Sequence, residues 1–402
     1  MNTQPANAGR CTRVVVVGSG YAGLMTANRF LGSLTREERA RVELTVVNPR
    51  DEFVERIRLH QLAAGSLPSV TKPIRPLLHP DAVLVRGTAE VIDPAGRAVA
   101  VRTDRGHVNL AWDRLVYAVG SLAAAPVPGA REHGFLLADL DGAEGAAAAI
   151  TGAGPEPRVL VIGAGLTGVE AAAEVAEQHP SAAVTLMSAD TLLSTMRVQA
   201  QSAIRRTLRR LGVTVVEHTP VAEVTDGYAI TSHGEKAAFD VCVVALAFGV
   251  PELARASGLL TDAIGRLVVD ETLRSVSCPS ILGAGDAVAV NGPIGAQLRM
   301  ACSVAVPMGG HVADELVRHI RGTASAPFDM GFTAQCVSLG RRRGYIQPVN
   351  SDDTPRRMHV GGLAGARIKE AVCRRVVDAP AAESSTPGTY TWRHNPQLTS
   401  HR

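Results

Sequence analysis

One unit occurs twice in this 402-residue chain, and the repetition narrows what the chain can fold into more than any other feature. Arg13–Val17 (RVVVV) is a short, apolar, β-branched run of the kind that forms a parallel strand covered on both faces. It leads straight into Gly18-Ser19-Gly20-Tyr21-Ala22-Gly23, then into helical spacing through Leu24, Ala27, Phe30 and Leu31. Val42–Val47 follows as a second strand. Arg158–Ile162 (RVLVI) leads in the same way into Gly163-Ala164-Gly165-Leu166-Thr167-Gly168, a helix (VEAAAEVAEQ) and a strand at Val184–Met187. The motifs begin at positions 18 and 163, about one domain length apart. The expected fold class is α/β, with two Rossmann-like dinucleotide-binding domains and a small C-terminal α+β region.

Each G-x-G-x-x-G has a physical rationale. The first glycine permits the tight strand-to-helix turn, and the second lets backbone approach a pyrophosphate. The third lets helix and strand pack closely, with the diphosphate at the positive helix N-terminus. A lone motif is a weak signal, but here both copies have the strand, helix and second strand that the chemistry requires. The residue ending the second strand commonly holds an adenosine ribose through a carboxylate. The first copy has Asn48, followed by Arg50, and the second has Ser188. Neither supplies the acid, so NADH and NADPH stay equally open.

Gly/Pro-rich punctuation at Ala123–Gly129, Thr151–Pro157, Phe248–Pro251 and Gly322–Pro327 divides the chain. The expected segments are 12–125 and 251–325 for the two parts of the first domain, 126–250 for the second, and 326–377 for the C-terminal region. The last region alternates like strands at Thr333–Leu339 and Gly344–Val349, with Arg341-Arg342-Arg343 as an exposed turn between them. Residues 363–377 have helical spacing, and 378–402, rich in Ala, Ser and Pro, is expected to be a flexible tail.

Composition excludes several classes. Six scattered cysteines with no C-x-x-C argue against a disulfide scaffold, a metal knuckle or a dithiol motif, and no metal is expected. No apolar run approaches membrane-spanning length, and the first ten residues are polar, so a cytoplasmic protein is expected. Aromatic residues make up 3% of the chain, which supports no nucleic-acid role. The net charge is +3, yet residues 331–402 hold eleven Lys/Arg against five Asp/Glu. That basic end reads as a solvated face or as a dock for an anionic surface, so peripheral membrane contact stays open.

Two nucleotide units in one chain imply an electron relay, in which a tightly held flavin receives hydride from a dissociable nicotinamide. Leu115–Ser121 and Val241–Gly249 are matching apolar strands at the crossings between units, and 265–286 delivers a strand to Gly285-Asp286. With these segments the chain resembles the two-dinucleotide-domain flavoprotein disulfide reductase superfamily (pyridine nucleotide-disulfide oxidoreductases). It is most similar to the type II NADH dehydrogenase branch. The stretch His60–Leu78 also resembles that branch.

The resemblance implies that Gly18, Gly20, Tyr21, Ala22 and Gly23 hold FAD, with Asn48 and Arg50 near its ribose and Gly120 at the crossover. Gly285 and Asp286 would meet its ribityl chain. Gly163, Gly165 and Gly168 would hold NAD(P)H, and Glu170 would stand where nicotinamide meets flavin. A helix beginning near Gln297–Ala301 would aim its N-terminus at the flavin. Against the family pattern, residues 53–64 contain no cysteine pair. The family's A-Q-x-x-x-Q quinone segment aligns with Ala301, Cys302 and Val306, so both glutamines are missing.

Three further readings carry alternatives. Cys302 is either a buried inert thiol or, with Cys336, a redox partner of the flavin. His60 is either structural or a proton donor to the acceptor. Arg56 and Arg58 are either surface cations or an anion-binding pair. The expected activity is that of a FAD-dependent NAD(P)H:acceptor oxidoreductase acting on a small acceptor such as a quinone, with Glu170, Cys302 and His60 as catalytic candidates. The alternatives are a biosynthetic flavoenzyme for a specialised small molecule, a sulfide- or thiol-handling flavoprotein, and a redox-sensing flavoprotein that binds a partner. A homodimer is the usual expectation for such folds.

Overall fold

A computed structural model describes residues 11–395. The first ten residues and positions 396–402 of the expected tail lie outside the described residues. The chain opens with strand β1 (Thr12–Val17), helix α1 (Tyr21–Ser33), strand β2 (Val42–Asn48) and strand β3 (Arg114–Tyr117). The second unit repeats this with β4 (Arg158–Ile162), α2 (Leu166–Gln178), β5 (Ala183–Met187) and β6 (Val241–Val244). The chain then returns through β7 (Ile281–Gly283) to α3 (Cys302–Arg321), the hairpin β8 (Ala334–Ser338) and β9 (Gly344–Pro348), and α4 (Gly362–Ala382).

Two parallel sheets result. The first runs β7-β3-β1-β2 and ends in Val83–Arg86. The second runs Phe135–Leu136, β6, β4, β5 and Thr214–Val216. In β1 the burial of Val14 through Val17 on both faces is what an unbroken β-branched run demands. α1 buries Leu24, Met25, Ala27, Phe30 and Leu31 against this sheet and α3. Phe30 is fully buried, so Phe30→Ala should cost about 3–5 kcal/mol.

The duplication extends further than the motifs indicated. Each unit carries a three-stranded antiparallel meander, over 88–111 in the first and 221–238 in the second. The two crossings between units pair with each other, Leu122 opposite Gly249 and Ala123 opposite Phe248.

The C-terminal hairpin forms as expected, with Arg341, Arg342 and Arg343 exposed between its strands. Two expectations need correction. The helix aimed at the flavin begins at Cys302, after a short 3-10 turn at Gly295–Gln297. Residues 378–395 are not a loose tail. α4 continues to Ala382, and beyond it buried Glu383 accepts hydrogen bonds from the Gly388 and Tyr390 amides (2.7 and 2.6 Å). Trp392 lies over the Arg29 guanidinium, and buried Asn395 donates to Gln297 Oε1 at 3.1 Å. Composition marked the segment as flexible, but three anchoring side chains outweigh it.

Candidate functional site

The two glycine turns are superimposable in their logic. Gly18 has φ +100° and Gly163 φ +108°, the left-handed region that glycine enters without strain. A Cβ on Gly23 would collide with the Gly18 carbonyl, and one on Gly168 with the Gly163 carbonyl. A Cβ on Gly20 or Gly165 would meet nothing within 4 Å, so open space lies in front of both helix N-termini. Neither helix has a side-chain cap, which leaves its first amides to a ligand. At the first turn the buried Ser19 hydroxyl has no partner among the described residues, and Asn48 Oδ1 accepts from the Ser19 amide at 3.1 Å. An unsatisfied hydroxyl, free amides and an open front fit a diphosphate. Tyr21 packs edge-on against Phe53 (5.1 Å between ring centres), and Ala22 lies against Gly285 and Gly309. Arg50 is partly exposed and paired with Asp141 at 2.8 Å.

Asp286 lies where the first unit's crossover ends. Its Oδ2 accepts from the Ser121 hydroxyl at 2.7 Å, one residue beyond Gly120. Burial raises its carboxyl, opposed by that hydrogen bond and by nearby Arg56. Arg56 and Arg58 are not surface cations. The Arg56 guanidinium donates to the Ser121 and Ala138 carbonyls (2.5 and 2.7 Å), tying the first unit's crossover to the entry of the second. Arg58 is buried and clasps Glu370 through both terminal nitrogens, at 3.0 and 2.7 Å.

The third part of the site is a charged knot between α2, the C-terminal hairpin and α4. Glu170 Oε1 takes the Lys369 ammonium at 3.0 Å and the Ser338 amide at 2.8 Å. Both ionic side chains are less than a tenth exposed. Burial works against the Lys369 charge, but Glu170 outweighs it and the ammonium is held above its ordinary value. His60 Nδ1 is 3.9 Å from Glu170 Oε2, and its buried Nε2 has no partner among the described residues. Burial lowers its pKa to about 4, so His60 is neutral at pH 7.

Cys302, at the first residue of α3, is half-buried, and desolvation pushes its thiol up to about 11. Its charged and thiol neighbours are Lys369, Cys373 and Asp286, whereas Cys336 faces Lys369 and Glu170. Cys302, Cys336 and Cys373 each interact electrostatically with Lys369, and none forms a disulfide among the described residues.

The structure therefore brings Glu170, His60 and Cys302 into one neighbourhood and adds four residues that sequence reasoning missed or misread: Lys369, Ser121, Arg56 and Ser19. Ser19 and Ser121 carried a signal as polar residues inside or beside the glycine motifs, Arg56 carried one only as half of a possible anion-binding pair, and Lys369 carried none. Among the described residues, no group of His, Cys, Asp and Glu could hold a metal ion, and no helix is long and apolar enough to cross a membrane.

Known proteins resemble this chain in sequence and fold. The profile of the pyridine nucleotide-disulphide oxidoreductase family matches residues 12–309. An NADH dehydrogenase-like protein of Mycobacterium tuberculosis is 31% identical over 371 residues, covering 82% of this chain and 90% of the relative. A type II NADH:quinone oxidoreductase of Staphylococcus aureus is 25% identical over 400 residues, covering 91% of this chain and 95% of that one. The sulfide:quinone oxidoreductase structure from Aquifex aeolicus superimposes with a TM-score of 0.78 at 17% identity, covering 94% of this chain and 93% of its own. At that identity the likeness is one of fold.

Proposed function

This chain belongs to the pyridine nucleotide-disulphide oxidoreductase family, and from that premise we propose that it is a FAD-dependent NAD(P)H:acceptor oxidoreductase that reduces a small, quinone-like acceptor. The observation that carries the reading is the pair of open glycine turns of one geometry in one chain, the second followed two residues on by Glu170 of the buried Glu170–Lys369 pair. FAD supplies the two-electron relay between nicotinamide and acceptor.

The chain's residues bind, orient and hold protons. Gly18, Gly20 and Gly23 present the α1 amides to the FAD diphosphate, and Gly163, Gly165 and Gly168 present those of α2 to the nicotinamide dinucleotide. Asp286, steadied by Ser121, accepts from ribityl hydroxyls. Arg56 fixes the angle between the units, which sets how closely two bound ring systems can approach. Lys369 Nζ, kept protonated by Glu170, is a fixed positive charge and hydrogen-bond donor on the side of Cys302. His60, neutral and with Nε2 free, can accept or pass a proton beside it.

Anaerobic mixing with NADH or NADPH tests the reading. The flavin absorbance should bleach within a stopped-flow trace, and a flavin untouched by either nucleotide would remove the reductase activity.

Ala301, Cys302 and Val306 in place of the branch's glutamines favour a second reading, a biosynthetic flavoenzyme that redox-modifies a specialised small molecule. The thiol-handling reading loses ground, because burial raises Cys302, Cys336 and Cys373 and leaves little thiolate at neutral pH. The partner-binding sensor reading weakens as well, since Arg341 and Arg374 of the basic end are engaged by Glu370.

A further inference from the structure

A cavity of about 150 Å³ opens between the C-terminal hairpin and α4, with Lys369 as its floor and Gln61, Ser338, Arg341, Arg367 and Glu370 among its walls. Its volume is well below the ~300–1,000 Å³ of pockets for drug-sized ligands, so it suits one substituted ring and no long apolar chain. Polar and apolar atoms share its surface about equally, with Leu363 and Ala366 beside the charged groups.

Charge decides what kind of ring. Glu370 is saturated: Arg58 holds it through two nitrogens, Arg341 at 3.0 Å and Arg374 at 3.2 Å. Those contacts, led by Arg58, hold its carboxyl at about 2, so it stays charged and committed. Lys369 spends one of its three donors on Glu170. Arg367 is different. It is exposed and faces no carboxylate within ion-pair distance among the described residues. It lines both this cavity and the adjoining surface groove of about 690 Å³, where Arg374, Arg375 and Tyr390 also stand. An uncommitted guanidinium at the mouth and an ammonium at the floor match a molecule with a carboxylate at one end and a reducible carbonyl at the other.

We propose that this cavity is the acceptor subsite and that the acceptor is a small carboxylate-bearing quinone, its carboxylate on Arg367 and its ring carbonyl toward Lys369 Nζ. The proposal rests on the reductase reading above and names that site's substrate class. The reaction balances as NAD(P)H plus a proton plus quinone giving NAD(P)⁺ plus hydroquinone. Two electrons leave the nicotinamide, and the two quinone oxygens end as hydroxyls.

The test compares carboxy-1,4-benzoquinone with its methyl ester as acceptors for the flavin-loaded protein. It adds calorimetric titration with 2,5-dihydroxybenzoate, the reduced form of the acid, in the absence of nicotinamide. The acid should have a KM about tenfold lower than the ester, the factor that about 1.4 kcal/mol supplies. Dihydroxybenzoate should bind and weaken as salt rises. Arg367→Glu should abolish both the preference and the binding, and Arg367→Lys should retain most of each. Equal KM values for acid and ester, or binding that survives Arg367→Glu, would overturn the anionic-acceptor assignment while leaving the reductase intact. A flavin that neither nucleotide bleaches would instead overturn the reading beneath it.

Discussion

α1 and α2 start from the same turn and diverge within two helical turns, and under the proposed function that divergence would let two like sites hold ligands differently. Met25 in the first helix occupies the place of Glu170 in the second, and Arg29 that of Glu174. α1 is sealed under α3, with Gly309 against Ala22 and the Thr26 hydroxyl donating to the Gly309 carbonyl at 3.0 Å. Arg29 is drawn outward into a bidentate pair with Asp314 (2.8 and 3.0 Å), beneath Trp392. α2 instead turns carboxylates toward the hairpin, where Lys369 and the Ser338 amide take Glu170 and the Ser66 hydroxyl donates to Glu174. Around the second turn Leu122, Leu246 and Phe248 stay exposed, an uncovered apolar rim suited to a ligand that comes and goes. On the proposed reading, one unit would enclose its ligand and the other would release it.

The largest effect should come from a charge placed in the open space before each turn. Gly20→Glu should yield folded but colourless protein. Gly165→Glu should keep its flavin and lose nicotinamide affinity by 100-fold or more, read by the NADH concentration needed for bleaching. Loss of flavin from both variants would break the contrast between the units.

Next in size, Glu170→Met makes the second helix resemble the first and strands the Lys369 charge in the interior. Removing one partner of a buried pair costs about 3–5 kcal/mol, and adding Lys369→Met should recover most of it. Denaturant midpoints of the single and double variants check this.

A third effect concerns pH. His60 binds its proton less tightly folded (about 4) than unfolded, so between pH 6.5 and 4 the unfolded chain holds the extra proton. Stability should therefore fall with falling pH over that window, by up to about 1.4 kcal/mol per unit from this residue. His60→Gln should flatten the slope in chemical denaturation at stepped pH.

The smallest effect is at the ribose position. Asn48→Asp preserves the acceptor for the Ser19 amide and adds a carboxylate for ribose hydroxyls, so flavin affinity should change only a few-fold, measured by fluorescence during dialysis.

The architecture was legible because period and punctuation are local properties. RVVVV and RVLVI running into glycine turns specify both strands, both helices and their order. Gly285-Asp286 announced a strand end in the same way. What escaped the sequence depends on long-range partners. Lys369 lies 199 positions from Glu170, and no spacing rule links an α4 lysine to an α2 glutamate. Arg56 and Arg58 read as surface cations or an anion-binding pair because their partners, the Ser121 and Ala138 carbonyls and Glu370, are also remote in sequence. The Ala/Ser/Pro composition after Asp378 hid three anchors, Glu383, Trp392 and Asn395, whose hold shows only once Arg29, Gly310 and Gln297 are in place.

The most direct measurement is ligand stoichiometry. Protein passed through gel filtration should retain close to one FAD per chain by absorbance. Calorimetric titration of that yellow protein with NAD⁺ should then fill one further site per chain, and Gly165→Glu should abolish only the second. Protein that stays colourless after incubation with FAD, or yellow protein that binds neither NAD⁺ nor NADP⁺, would contradict the account.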